Sequence, residues 1–228
     1  MNKKKISKFF SNFSRANILC IGDLILDTFI EGEVNRISPE APVPILQFNK
    51  SVQQIGGAGN VARNISSLGG KVGLLSLVGY NDKSKKVVSL CKKIRGVKPL
   101  LVKYKDYKIP EKIRYSSRSN QLLRVDNEVI SPDHSDLDKK IIKKFINEVK
   151  NYNTVLISNY NKGTLSKKTI KKIIDYCKEM KIQILIDPKN KDFSIYKNAD
   201  IITPNRKELL DALNINTEND TNLIRAAK

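Results

Sequence analysis

The stretch Ile55-Gly56-Gly57-Ala58-Gly59-Asn60-Val61-Ala62-Arg63-Asn64 sets three glycines ahead of an Asn and a run of small and apolar residues. Glycine permits positive φ and puts no Cβ in the way. A backbone of this kind can approach a polar ligand closely, with free N–H groups at the helix that follows. The same pattern also packs a helix tightly on a sheet. A phosphate- or sugar-cradling turn and a plain packing turn are both open at this point.

Upstream of it, Asn17-Ile18-Leu19-Cys20-Ile21-Gly22-Asp23 is a continuous apolar run ending in Gly-Asp, which predicts a central strand buried on both faces. Asp27 follows four residues after Asp23. Carboxylates just beyond the carboxyl end of a buried strand fall where open α/β sheets bind ligands. Residues 31–44 contain Pro39, Pro42 and Pro44, which exclude helix and central strand and predict a rigid extended excursion, part of a lid.

Downstream, the pattern predicts a helix over 61–68 ended by Gly69-Gly70, then a buried strand over 72–78. Val87, Val88, Cys91 and Ile94 recur at helical spacing before Gly96, and residues 100–104 are strand-like. Residues 113–125 read as a hairpin carrying Arg114, Arg118 and Arg124, either exposed for solubility or aimed at a phosphate. A helix over 135–149 precedes a strand over 154–158. Ser166 suits the N-cap of a helix whose Ile170, Ile173, Ile174, Cys177 and Met180 share one face. A strand over 183–186 ends in Asp187-Pro188-Lys189, and a short strand over 201–203 runs through Pro204-Asn205 into a helix over 206–213. This strand-helix alternation predicts an α/β fold, a parallel sheet covered by helices with polar residues at the strand ends.

The 228 residues suffice for one large domain, and no apolar run reaches the roughly 18 residues of a membrane span. Residues 1–15 are basic, with Phe9, Phe10 and Phe13 interrupted by Ser11 and Asn12, which reads as a short amphipathic leader helix and not a secretory signal. Cys20, Cys91 and Cys177 lie far apart at apolar positions, as reduced core thiols of a cytoplasmic protein do. The single His134 stands in a polar turn at a helix start, away from any metal-ligand spacing.

The net charge of +19 raises nucleic acid as a partner. Nine of the 42 basic residues are Arg, and Lys167, Lys168, Lys171, Lys172 and Lys178 fall on the polar face of one helix. Base readout favours Arg, and single-strand binding favours aromatics interleaved with charge; the chain has no Trp. The charge reads as solvated surface that also draws in phosphorylated substrates, with no specific nucleic acid and no membrane as partner.

Several motifs occur in order: Gly22-Asp23 with Asp27; Arg36-Ile37-Ser38-Pro39-Glu40-Ala41-Pro42-Val43-Pro44; Gly56-Gly57-Ala58-Gly59-Asn60; Ser158-Asn159-Tyr160-Asn161-Lys162-Gly163; Ile186-Asp187-Pro188-Lys189; and Thr203-Pro204-Asn205-Arg206-Lys207-Glu208. Together they resemble the ribokinase-like (PfkB) sugar kinases over about residues 16–208. The Arg36 to Pro44 run and the Ser117-Arg118-Ser119-Asn120-Gln121-Leu122-Leu123-Arg124 hairpin are similar to the branch that phosphorylates D-glycero-β-D-manno-heptose 7-phosphate at its anomeric hydroxyl, on the route to ADP-heptose and lipopolysaccharide cores. The resemblance implies a single domain, a three-layer α/β/α sandwich with a mostly parallel central sheet. It also implies a small β lid at about residues 29–48 and 100–126, through which two subunits can pair as a homodimer.

By the same resemblance, Asp27, Asn60 and the Gly56-Gly57 backbone bind sugar hydroxyls. Lys162, Arg118 and Arg124 are candidates for the 7-phosphate, since guanidinium forks match phosphate oxygens. Asn205 and Glu208 organise Mg²⁺ and its waters near the phosphates of ATP, with Asp187 and Lys189 beside them. Two departures stand out. Asn159 occupies the place of the usual Asp, and the family's Gly-Ala-Gly-Asp segment, which supplies the general base and holds developing charge, has no counterpart in the 228 residues. The chain therefore reads as a C-terminally incomplete kinase, expected to turn over very poorly alone, because each such contribution is worth about 10²-fold or more. A catalytically silent sugar-phosphate binder and a kinase for another sugar remain the alternatives.

Overall fold

The computed structural model describes residues 12–128, 135–215 and 219–227. The expected leader helix falls mostly, and His134 wholly, outside the described residues; Phe13–Arg15 form a single 3₁₀ turn.

The main body is a six-stranded, entirely parallel sheet. Its strands are β1 (Asn17–Gly22), β4 (Lys71–Val78), β5 (Val97–Lys103), β8 (Thr154–Ser158), β9 (Gln183–Asp187) and β10 (Ile201–Ile202). They lie in the order β10-β9-β8-β1-β4-β5. Consecutive residues of β1 and β4, such as Leu19, Cys20 and Ile21 or Leu74, Leu75, Ser76 and Leu77, are all fully buried. Alternate residues of a strand face opposite sides, so both faces of the sheet are covered and the body has three layers.

The helices are α1 (Ala58–Ser67), α2 (Asp82–Lys92), α3 (Ser135–Val149), α4 (Lys167–Glu179), α5 (Arg206–Leu213) and α6 (Asp220–Ala227). Their ends follow local chemistry. Asn81 Oδ1 accepts from Ser84 N at 2.9 Å, and Ser166 Oγ accepts from Thr169 N at 3.0 Å, each covering an otherwise unpaired first-turn amide. Lys167, Lys168, Lys171, Lys172 and Lys178 are exposed on α4, as its periodicity predicts, while Ile170, Ile173, Ile174 and Cys177 are buried beneath. All three thiols are buried and free, and burial pushes each pKa up to about 12, which makes them inert core residues. No helix among the described residues is long and apolar enough to cross a membrane.

A second sheet of four strands projects from the body: β2 (Leu24–Ile37), β3 (Pro44–Gly57), β6 (Glu111–Ser117) and β7 (Asn120–Asn127), in the order β3-β2-β6-β7. It revises the sequence reading in two places. Residues 31–44 are not a separate excursion, because 31–37 continue β2, paired with β3 as far as Ile37 and with β6 as far as Gly32, and the prolines are confined to the connection and to Pro44, the first residue of β3. Pro39 and Pro42 lie in that connection and Pro44 opens its strand, so none interrupts a ladder. Leu100, expected in the lid, belongs to β5 of the body, where it pairs with Leu75 and is 3% exposed. The second sheet spans 24–57 and 111–127.

Sheet and body are tied by a buried carboxylate. Glu111, 7% exposed, accepts from Thr28 Oγ1 at 3.0 Å and pairs with Lys83 Nζ of α2 at 2.5 Å. A denser joint lies at the end of β1, where a Cβ on Gly22 would stand 2.0 Å from the backbone oxygen of Ser158 in the neighbouring strand. Gly22→Ala is expected to force β1 and β8 apart and lower stability by about 2 kcal/mol or more in urea unfolding.

Candidate functional site

Asp23 organises the site. Its carboxylate is 1% exposed, yet it accepts three backbone hydrogen bonds from the loop after β8. Oδ2 takes Tyr160 N at 2.9 Å and Lys162 N at 3.1 Å, and Oδ1 takes Thr164 N at 2.9 Å. Its backbone oxygen accepts from Ala58 N, the first amide of α1, at 2.9 Å. A buried carboxylate is tolerated when its lone pairs are filled in this way. The sequence reading placed Asp23 toward a ligand; its oxygens are instead spent on shaping the loop.

The glycine turn is a close-packing device and a site wall together. Gly57 has φ +58°, and a Cβ on it would lie 2.2 Å from the Asp23 carbonyl oxygen. A Cβ on Gly56 would lie 2.0 Å from Asp27 Oδ2, so the Asp27 carboxylate rests in the space that a side chain at 56 would fill. Asp27 Oδ1 pairs with Arg114 Nη1 at 2.5 Å, and the Arg114 guanidinium lies 5.1 Å from the centre of the Phe29 ring. Arg63 joins Asn60 to the strand carrying the turn: its Nη2 donates to Asn60 Oδ1 at 2.8 Å and its Nη1 to Gln54 Oε1 at 2.9 Å. Gln54 is the register partner of Asp27. Asp27, Gly56 and Asn60 thus converge at the joint of the two sheets.

The expected phosphate-binding cations are distributed unequally. Lys162 stands in the loop held by Asp23, with its ammonium paired to Glu128, the residue following β7. Arg124 is directly opposite Arg114 across β6 and β7 and forms a two-pronged bond with Asp126, at 2.8 and 3.1 Å. Arg118 is at the hairpin tip with φ +53°, exposed, and makes no hydrogen bond or ion pair with any described residue. It stands four residues beyond Arg114 along the strand, about 13 Å at the usual rise. The structure therefore does not bring Arg118 to Asp27 and brings Arg114 instead. Arg114 was visible only as one of three hairpin arginines; its pairing depends on the register between β2 and β6, which sets it beside Phe29.

The remaining candidates stand at the end of β9 and the start of α5. Asn205 and Glu208 form a reciprocal cap at the start of α5: Asn205 Oδ1 accepts from Glu208 N and Glu208 Oε2 from Asn205 N, each at 2.9 Å. Lys189 Nζ reaches Glu208 Oε1 at 3.3 Å. Asp187, at the end of β9, is half-buried; burial first and the negative charge of Glu208 second hold its pKa above the usual carboxylate value, with Lys189 opposing. A cation would relieve that repulsion. The Tyr160 hydroxyl is likewise pushed up by burial, then by the charges of Asp187, Asp27 and Glu208. It therefore stands within the field of both groups, a position that the sequence did not disclose.

At the departure from the family pattern, Asn159 is 4% exposed, donates through Nδ2 to Tyr196 Oη at 3.2 Å and accepts from Asn161 N at 2.9 Å.

The model of the pfkB family of carbohydrate kinases matches residues 15–228. The chain belongs to that family. Among its relatives, "Bifunctional protein HldE" of Nitrobacter winogradskyi is 36% identical over 218 residues, covering 95% of this chain and 45% of that protein. The protein of the same name from Campylobacter curvus is 38% identical over 213 residues, 93% of this chain and 45% of its own length. The chain thus spans a little under half of these curated relatives. Phosphofructokinase-2 from Escherichia coli in complex with fructose-6-phosphate has the same fold, with a TM-score of 0.70 and 19% identity over 93% of this chain and 68% of that one. A carbohydrate kinase from Agrobacterium tumefaciens superposes with a TM-score of 0.69 at 17% identity, covering 92% of this chain and 67% of its own. The ribokinase-like α/β fold expected from the motifs is the observed one.

Replacing Asp23 by Ala would leave three amides of the loop without acceptors. At roughly 1 kcal/mol or more for each partly buried amide, Asp23→Ala is expected to cost about 2–4 kcal/mol in denaturant unfolding. It is also expected to speed hydrogen exchange selectively at residues 160–164.

Proposed function

We propose that this chain carries the sugar-phosphate side, and the start of the nucleotide side, of an ATP-dependent kinase that phosphorylates the anomeric hydroxyl of D-glycero-β-D-manno-heptose 7-phosphate to the 1,7-bisphosphate. The observation that carries the proposal is the Tyr160 hydroxyl, which lies within the field of Asp27, the carboxylate on which Gly56 and Arg114 close, and also of Asp187 and of Glu208 with its partner Lys189. The described chain acts as one kinase domain, with the second sheet as its lid.

In this reading the Asp27 carboxylate and the Asn60 amide hold sugar hydroxyls, and the bare Gly56-Gly57 backbone lets the ring approach. Lys162 and the Arg114 and Arg124 guanidiniums receive the 7-phosphate, whose oxygens suit charge-assisted and forked bonds. Asp187 and Glu208 fit a divalent cation held through water, because their mutual repulsion in the present structure is what such a charge removes. ATP with Mg²⁺ supplies the transferred phosphoryl group and offsets its charge when bound. Lys189 steadies Glu208 and lends positive charge beside that position. The buried free thiols fit a reducing compartment, the cytoplasm.

A second reading, binding without turnover, is favoured by Asn159. Its amide is spent on Tyr196 and on the loop, so no carboxylate stands at that strand end. Incubation with ATP, Mg²⁺ and heptose 7-phosphate separates the two. Formation of the bisphosphate by the protein continued through a Gly-Ala-Gly-Asp segment supports the kinase, and binding of the sugar phosphate without turnover by that longer protein leaves the binder.

Gly56→Ala tests the sugar side directly. The added methyl would stand 2.0 Å from Asp27 Oδ2 and 3.1 Å from its Cγ, with Ile25 Cβ at 3.4 Å, so Asp27 must turn and loosen its pair with Arg114; thermal stability is expected to fall modestly, and heptose 7-phosphate affinity about tenfold or more by calorimetry. An unchanged affinity would remove Asp27 from the site. The second sheet also exposes Phe48, Leu123 and Val125, at 63%, 56% and 40%, an apolar surface suited to pairing two lids. Sedimentation is expected to show a homodimer that Leu123→Asp weakens at least tenfold; a monomer at all concentrations would exclude lid pairing.

A further inference from the structure

Each cation that the substrate reading assigns to the phosphate already holds a carboxylate. Arg114 holds Asp27, Arg124 holds Asp126, and Lys162 holds Glu128. The first two pairs lie within the second sheet. The third joins the second sheet to the body, because Glu128 follows β7 while Lys162 belongs to the loop fixed by Asp23. Its side chains are 30% and 26% exposed, so the pair is partly withdrawn from water and less screened than a surface ion pair.

We propose that Glu128 is a resident counter-ion of Lys162, which the substrate's phosphate must displace before the substrate can seat. The proposal rests on the reading of Lys162 as a phosphate ligand and adds what the phosphate is exchanged for. A neutral sugar offers nothing that would release Lys162 from a carboxylate. A singly charged group exchanges one anion for another with little gain. A phosphate monoester brings close to two negative charges and three acceptor oxygens, and therefore wins the exchange. The displaced Glu128 carboxylate stands at a strand end, partly exposed, and can turn to water.

The expected sign is opposite to that of an ordinary binding or structural residue, since removing Glu128 should tighten binding. Removing one partner of a partly buried pair leaves the other charge uncompensated and readier for an external anion. Calorimetry would titrate heptose 7-phosphate and unphosphorylated heptose into the unmodified protein, Glu128→Gln, Lys162→Met and the double variant. Glu128→Gln is expected to bind heptose 7-phosphate about three- to tenfold more tightly and unphosphorylated heptose unchanged, with the gain gone in the Lys162→Met background. Glu128→Ala should repeat the gain. If the unmodified protein binds the sugar phosphate and both Glu128 variants bind it equally or more weakly, the counter-ion role is overturned while the substrate reading stands. A gain that survives in Lys162→Met also overturns it. Absence of binding by every variant overturns the substrate reading and this proposal together, and binding gained only on removing Glu128 supports both.

Discussion

The buried Asp23 carboxylate is the constraint on which the site depends. Three amides from the loop after β8 and one from the start of α1 end on this single residue. The loop that presents Tyr160 and Lys162, and the turn that presents Gly56 and Asn60, are thereby referred to the same point at the end of β1. A side chain in that position could not be apolar, because the loop amides would be buried without acceptors. Nor could it be shared with a ligand, since both oxygens are already committed. The more accessible carboxylate is that of Asp27, four residues on, whose side chain is 19% exposed.

Legibility in the sequence followed the range of the interactions. Helix starts at Ser166 and Asn205 and the buried strands at 17–22, 71–78 and 154–158 rest on neighbours within a few residues, and the sequence shows them closely. The second sheet was only partly legible. Three prolines within six residues obscured the fact that long strands flank them, and the paired residues of β2 and β6 are more than 80 positions apart. The same distance hid Arg114 behind Arg118 and Arg124. Asp23 looked like a ligand residue because the amides that fill it come from residues 160–164, which no local pattern connects to it.

Motif residues also have structural duties of their own. Asn205 and Glu208 cap α5 on each other before any metal is considered, and the same geometry sets Glu208 near Asp187 and Lys189. Gly56 and Asp27 occupy one another's space, so the glycine is required by the carboxylate and not by its own backbone angle. Structural and chemical explanations for such residues do not compete. A functional group held by the elements that define the fold stays in place when the ligand is absent.

The register of β1 bears on how the protein is made. β1 pairs with β8 from Ile18 to Gly22, opposite Thr154 to Ser158, and Asp23 waits for amides that follow at 160–164. On a ribosome the first strand emerges long before β8 and the loop that follows it. Contacts of such sequence separation are slow to form, because the loop between them must close first. Until then the Asp23 carboxylate remains hydrated, although its backbone oxygen can already accept the first amide of α1. The corner built on Asp23 is thus begun early and completed late, and a nascent chain would present it without its loop until more than two thirds of the 228 residues had been synthesised.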